Sequence, residues 1–263
     1  ASAENASAFG YVNEASGLAS SALGFRNKAA NENASAVGYG NNAGGVASSA
    51  FGFSNVAKVD YASAFGYSNE ASGLASSAVG FRNKAASENA SAVGYGNNAN
   101  ALAASAVGYN NTAGGVGSST IGYNNTATNE NASAFGYGNT AGGLASSAFG
   151  FSNTASGDNA NAFGYNNIAS GSKSNVFGTG NTVSGSSSNA VGTANEVAAE
   201  NSTAIGNNNT ISSGAENSAA LGNNISISLK DSVALGNNST ATAINSVTGN
   251  SSYTKWAGVS DVV

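Results

Sequence analysis

A glycine that follows a bulky apolar residue recurs along this chain at every fourteenth position. The spacing holds from Gly10 to Gly206, widens by two at Gly222 because two extra residues lie within 212–217, and returns to its regular value at Gly236. Such a period is too short for a helical repeat, which needs about 33 residues or more, but it fits two strands of about five residues joined by tight turns of Gly, Asn and Ser. The period therefore predicts a parallel β-solenoid of seventeen turns.

Positions relative to the glycine predict which side chains face the interior. The third residue after it is Asn from Asn13 to Asn209, and the fifth is Ala, Val or Ile in every turn. The residues two and four after the glycine vary and include Arg26, Lys28 and Glu14. Because side chains on a strand alternate faces, the Asn and Ala positions are predicted to point inward and the variable ones into water. Stacked Asn side chains can hydrogen-bond to each other, which satisfies a polar group inside the solenoid.

The strand that ends at the glycine shows no charged face. In every turn the five residues ending at the glycine are uncharged, with Phe, Leu, Val or Ile directly before it and usually Ala one residue earlier. One row must cover the interior and the other must face outward, and the sequence leaves open which row does which. A monomer rarely exposes so long an apolar stripe, so we infer that the outward row is buried against other chains.

Two outward features follow from the stacking of residues one turn apart. Glu14 is predicted to lie next to Lys28 and Glu70 next to Lys84, so opposite charges are neighbours,. A Tyr or Phe follows the glycine in the first twelve turns, from Tyr11 to Tyr165. We favour a stacked ladder that packs at the edge of the roll or between chains. The alternative is an exposed stripe that grips an extended protein or a glycan.

Composition argues against enzymatic, metal-binding and nucleic-acid-binding functions. The chain has no His and no Cys, its carboxylates are dispersed, and its eight basic residues are scattered. The usual catalytic triads and most zinc sites need His or Cys, and nucleic-acid binding needs a basic patch. We therefore expect no enzyme, cofactor or nucleic-acid partner. No apolar run of about 18 residues is present, so any membrane attachment would depend on a C-terminal anchor outside this sequence.

The repeat resembles the head repeat of trimeric autotransporter adhesins, the family typified by the Yersinia adhesin. The shared pattern, N-S-x-A-φ-G-x-x-(S/N)-x-A, is plain in ENASAFGYGNTAGG at 130–143, ENSTAIGNNNTI at 200–211 and DSVALGNNSTATA at 231–243. The resemblance implies an all-β homotrimer of left-handed parallel β-rolls, with head repeats over 1–243 and a cap toward a neck over 244–263. It also implies a place on the outer membrane of a Gram-negative bacterium.

The same resemblance implies a function in adhesion. Heads of this family attach to extracellular-matrix proteins such as collagen, fibronectin or laminin, to host cells, and to other bacteria. A different hypothesis, a spacer rod that presents a distal binding domain, stays open on the residues alone. The candidate ligand contacts are Arg26, Lys28, Arg82 and Lys84, which recur in two nearly identical segments, 16–43 and 72–99. A merely solvated surface is the simpler explanation of these basic pairs.

Overall fold

The computed structural model describes residues 1–242 and the backbone of Trp256–Ala257. The described part is all β, with no helix, and each turn of the solenoid supplies a long strand of five residues and a short strand of two. The predicted parallel β-solenoid is thus confirmed, but its second strand is shorter than expected. The chain bends at the second residue after the glycine, where Arg26, for example, has a φ of 55°. The predicted cap over 244–263 lies outside the described residues, apart from that backbone pair.

Residues 1–137 form the first of two compact units. Its long strands pair in parallel with the long strands of the next turn, so that Ser77 is level with Ser91, and its short strands do the same, so that Ala85 is level with Ala99. The long strands are Ser7–Tyr11, Ser21–Phe25, Ser35–Tyr39, Ser49–Phe53, Ser63–Tyr67, Ser77–Phe81, Ser91–Tyr95, Ser105–Tyr109, Ser119–Tyr123 and Ser133–Tyr137. The short strands are Glu14–Ala15, Lys28–Ala29, Asn42–Ala43, Val56–Ala57, Glu70–Ala71, Lys84–Ala85, Asn98–Ala99, Thr112–Ala113 and Thr126–Ala127.

Residues 138–263 form the second unit. The two extra residues are absorbed outside the strands, since Thr203 is level with Ala219 and the pairing continues unchanged on either side. The long strands are Ser147–Phe151, Asn161–Tyr165, Asn175–Thr179, Asn189–Thr193, Thr203–Asn207, Ala219–Asn223 and Val233–Asn237, the last of which pairs with Trp256–Ala257. The short strands are Thr140–Ala141, Thr154–Ala155, Ile168–Ala169, Thr182–Val183, Glu196–Val197, Thr210–Ile211, Ser226–Ile227 and Thr240–Ala241.

Small side chains fill the interior of both units. In most turns the buried residues are Ala on the long strand, Ala on the short strand and Asn between them, as at Ala22, Asn27 and Ala29. The largest fully buried side chains are Ile and Val residues of the second unit, among them Ile211 and Ile225. Not one Phe or Tyr within residues 1–242 is buried. Within residues 1–242 the aromatic residues and most of the other large apolar residues therefore lie outside the core, the reverse of the usual distribution,.

The repeating glycine is required by the approach of the next turn. Gly80 has a φ of 118°, a region that L-residues rarely adopt, and a Cβ there would lie 2.1 Å from the carbonyl oxygen of Gly94. The equivalent glycines from Gly10 to Gly222, wherever their surroundings are described, meet the carbonyl oxygen of the next glycine in the same way. Any side chain at this position would push two turns apart, which is why the period is so strict.

Buried Asn side chains tie consecutive turns together, as the sequence predicts. Asn41 Nδ2 donates to Oδ1 of Asn27 at 3.0 Å, to the carbonyl oxygen of Val37 at 2.9 Å and to that of Gly52 at 2.7 Å. The backbone N–H of Asn41 also donates to Asn27 Oδ1, at 3.0 Å. We call this stack the Asn ladder; its members are Asn13, Asn27, Asn41, Asn55, Asn69, Asn83, Asn97, Asn111 and Asn125 in the first unit and Asn139, Asn153, Asn167, Asn181, Asn195 and Asn209 in the second.

Candidate functional site

The solvent-facing side of the long strands is an apolar surface, which we call the outer face. On every long strand after the first, the residue two before the glycine is buried, whereas the bulky residue before the glycine and the residue after it point outward. The buried residue is Ala, except at Thr120 and Val176. Leu23 and Ile121 are each 45% exposed and Tyr123 is 40% exposed. The structure thereby resolves the alternative that the sequence left open: the bulky row faces outward and the Ala row faces the core.

Aromatic rings form a stacked column along the outer face. In the first unit the rings of the residues after the glycine, which we call the aromatic row, lie 4.7 to 5.1 Å apart between centroids and within 15° of parallel. In the second unit Phe151 and Tyr165 stack at 5.2 Å. The predicted ladder is confirmed, and most of its members are also exposed. The stacking is what the favoured interpretation predicts, and the exposure is what the alternative interpretation requires. The row of the first unit comprises Tyr11, Phe25, Tyr39, Phe53, Tyr67, Phe81, Tyr95, Tyr109, Tyr123 and Tyr137.

The two candidate arginines lie at the edge of the outer face. Each follows directly after a long strand, and its guanidinium sits over the last ring of that strand: the Cζ of Arg26 is 5.1 Å from the Phe25 centroid and that of Arg82 is 5.2 Å from the Phe81 centroid. Such cation–π contacts hold a charged group against an aromatic surface. The arginines therefore extend the aromatic row into the turn.

The two candidate lysines lie on a different surface. Lys28 and Lys84 project from the short strands into solvent. Lys28 is level with Glu14 and Lys84 with Glu70, as predicted. Within residues 1–242 only Lys28 and Glu14 form an ion pair, with Lys28 Nζ 3.5 Å from Glu14 Oε2. The structure therefore does not bring the four basic residues into one patch; it separates them into an arginine edge and a lysine face.

A second row, at the other end of the long strands, carries a pattern with twice the period of the solenoid. The residues six before the glycine alternate between acidic and aliphatic over the first eight turns, and we call them the alternating row: Glu4, Leu18, Glu32, Val46, Asp60, Leu74, Glu88 and Leu102. Leu18 and Leu74 are each 44% exposed, and Glu32 and Glu88 are exposed as well. Asp60 Oδ1 accepts a hydrogen bond from the backbone N–H of Val46, at 2.8 Å. The sequence interpretation missed this row; its signal is an acidic residue that recurs at every second turn.

The described residues contain neither a cluster of metal ligands nor a long apolar helix. Within 1–242 no three His, Cys, Asp or Glu side chains lie close enough to hold a metal ion. The same part of the chain has no helix with the length and apolarity needed to cross a bilayer.

The fold and these surfaces define a repeat protein, a parallel β-solenoid with small residues inside and large apolar residues outside. The YadA head domain repeat, in a model that spans two copies, matches residues 1–26, 15–41, 43–69, 71–97, 113–139, 141–167, 184–209 and 230–247. These matches cover well over half of the sequence, so the chain belongs to the YadA head domain repeat family. Comparison with curated proteins gave no match. The family identifies the chain as an adhesin-like head of the autotransporter kind, exposed at a bacterial surface.

Proposed function

We propose that this chain forms the homotrimeric head of an adhesin on the outer membrane of a Gram-negative bacterium, where it attaches to host extracellular matrix or host cells. The observation that carries the proposal is the inverted distribution of side chains. In most turns Ala and Asn fill the interior, whereas Phe, Tyr, Leu, Val and Ile side chains form the outer face. The family supports a trimer of such heads.

The outer face supplies the surface for trimer assembly. In each of the first twelve turns two apolar side chains, such as Leu23 and Phe25, project from the same side of the long strand. An aromatic side chain buries about 150–250 Å² when it is covered, so a column of such residues provides a large driving force for association. Three outer faces packed around a common axis would cover both rows.

The surfaces that remain exposed in such a trimer would bind the ligand through many weak contacts. The short strands point away from the outer face and carry Lys28 and Lys84, four turns apart and about 19 Å from each other at the usual strand spacing,. Three chains would present six such lysines. Avidity from repeated contacts raises overall affinity without a deep pocket. Acidic groups of collagen, fibronectin, laminin or a host cell surface are the ligand chemistry that fits, and the same surfaces would join bacteria to one another.

A solid-phase assay tests this function. Trimeric head is applied to surfaces coated with collagen, fibronectin, laminin or intact epithelial cells, and the bound head is measured. We expect binding to at least one of them, and a loss of most of that binding in Lys28→Ala/Lys84→Ala. Asn42→Ala/Asn98→Ala, on the same short-strand surface, is the matched control and keeps the binding. A trimer that binds none of these surfaces would support the alternative, a spacer rod that presents a distal binding domain.

A further inference from the structure

Opposite charges lie at opposite ends of the long strands, on neighbouring turns of the chain. Arg26 and Arg82 directly follow the long strands that end at Phe25 and Phe81. Each member of the alternating row lies three residues before the start of a long strand. Arg26 and Arg82 have no carboxylate partner within residues 1–242, and neither Glu32 nor Glu88 has a cationic one, since the ion pair there joins Lys28 to Glu14. Each chain therefore has unpaired guanidiniums at one end of the sheet and unpaired carboxylates at the other.

Cyclic symmetry brings these two ends together. In a ring of identical subunits each contact is heterologous, so one surface of a protomer meets a different surface of the next. When three outer faces turn toward one axis with their strands across it, the C-terminal end of each long strand points at the N-terminal end of the neighbouring one. The arginine edge of one protomer then faces the alternating row of the next.

The heights of the residues along the axis decide which side chains meet. A pure rotation places each residue at the same height as its copy. Glu32 lies six residues after Arg26, less than half of one turn, which corresponds to about 2 Å along the axis at the usual strand spacing. Glu88 has the same relation to Arg82. Leu18 and Leu74, eight residues before the arginines, lie about 3 Å to the other side,.

We propose that Arg26 and Arg82 pair with Glu32 and Glu88 of a second copy of this chain, while Leu18 and Leu74 of that copy pack against the rings of Phe25 and Phe81. The seam between protomers is thus built from the arginine edge and the alternating row. This inference rests on the trimer of the proposed function. It assigns the arginines to assembly and leaves the lysines of the short strands as the ligand contacts.

The first test reverses the charges on the trimeric head. Arg26→Glu/Arg82→Glu and, separately, Glu32→Arg/Glu88→Arg place like charges at every seam, so each is expected to raise the concentration at which half of the chains are trimeric by about tenfold or more. The variant that combines all four substitutions restores opposite charges and is expected to recover most of that loss. Lys28→Glu/Lys84→Glu is the matched control on the short strands and leaves trimer assembly within about threefold of the parent. The seam would be overturned if the separate reversals left trimer assembly unchanged. It would also be overturned if the combined variant lost as much trimer stability as the two separate losses added together.

The second test does not depend on stability. The chain has no cysteine, so Arg82→Cys/Glu88→Cys carries the only two thiols, and a short bismaleimide added to the native head is expected to give a covalent trimer on a denaturing gel. Lys84→Cys/Glu88→Cys is the control and is expected to give no covalent trimer. If both variants are trimers in light scattering but crosslink equally, or neither crosslinks, the proposed seam is wrong. The trimer of the proposed function would still stand. A monomer in light scattering would overturn both.

Discussion

Asn41 donates a hydrogen bond from Nδ2 to Oδ1 of Asn27, one turn earlier, and the same oxygen accepts the backbone N–H of Asn41. One buried amide thus joins three consecutive turns, because Nδ2 also reaches the carbonyl oxygen of Gly52 in the next turn. Buried polar groups stabilise a fold only when their partners are present, and the ladder supplies those partners at nearly every turn.

Asn41→Ala is expected to destabilise the head by about 1–3 kcal/mol, because it leaves the carbonyl groups of Val37 and Gly52 and the N–H of Asn55 without their partners,. The adjacent Asn42→Ala provides a matched control, since Asn42 is exposed on a short strand. Its effect should stay within about 0.5 kcal/mol. Urea unfolding of both variants measures the difference, and equal midpoints would show that the ladder contributes nothing.

Gly80→Ala is expected to cost more than about 3 kcal/mol or to prevent folding, since its Cβ would collide with the carbonyl oxygen of Gly94 at a φ that is itself strained for alanine,. Gly40→Asn is the contrasting substitution. Gly40 has a φ of 64° and its nearest neighbour to an added Cβ is 3.5 Å away, and Asn occupies the equivalent position at Asn110. Circular dichroism during heating should show a much lower melting temperature for Gly80→Ala and almost no change for Gly40→Asn.

Deleting Ser213 and Gly214 should restore the regular spacing between Gly206 and Gly222 without unfolding the second unit. Both residues are exposed and an added Cβ at Gly214 would meet nothing within 4 Å. Shortening a surface connection by two residues changes loop entropy by only a few tenths of a kcal/mol or so. A melting temperature within about 2 °C of the parent is expected. A large decrease would indicate that the longer turn is needed for the pairing of Thr203 with Ala219.

Val79→Lys/Val93→Lys is expected to abolish assembly, because it places two charges per chain on the outer face, where the side chains of both residues are 37% exposed,. Asn98→Lys/Thr112→Lys puts the same charges on neighbouring short strands and should leave assembly intact. Size-exclusion chromatography separates these outcomes. A trimer in the first variant would mean that the outer face is not the interface.

The sequence predicts the short-strand side of each turn well, because charge marks it. Asn27 lies between Arg26 and Lys28, so alternation alone places the Asn inside. The long strand has no charged residue to show its solvent-facing side. Ala22 and Leu23 are both apolar, and only the structure shows that Leu23 faces outward. Apolar residues on both faces of a strand give no period-2 signal.

Turn geometry and the seam were harder to predict. Ala19 and Arg26 adopt positive φ values of 52° and 55°, which are uncommon for residues other than glycine. The available signal is that Gly40 and Asn110 occupy the position equivalent to Arg26. The alternating row was not predicted because its acidic residues recur every two turns rather than every turn.

The mass of the head in solution, measured by multi-angle light scattering, tests the central claim most directly. Large apolar side chains that lie outside the core of one chain need other copies to cover them. The account predicts a stable mass three times that of the 25.3 kDa chain. A well-behaved particle of 25.3 kDa across the accessible concentration range would contradict it.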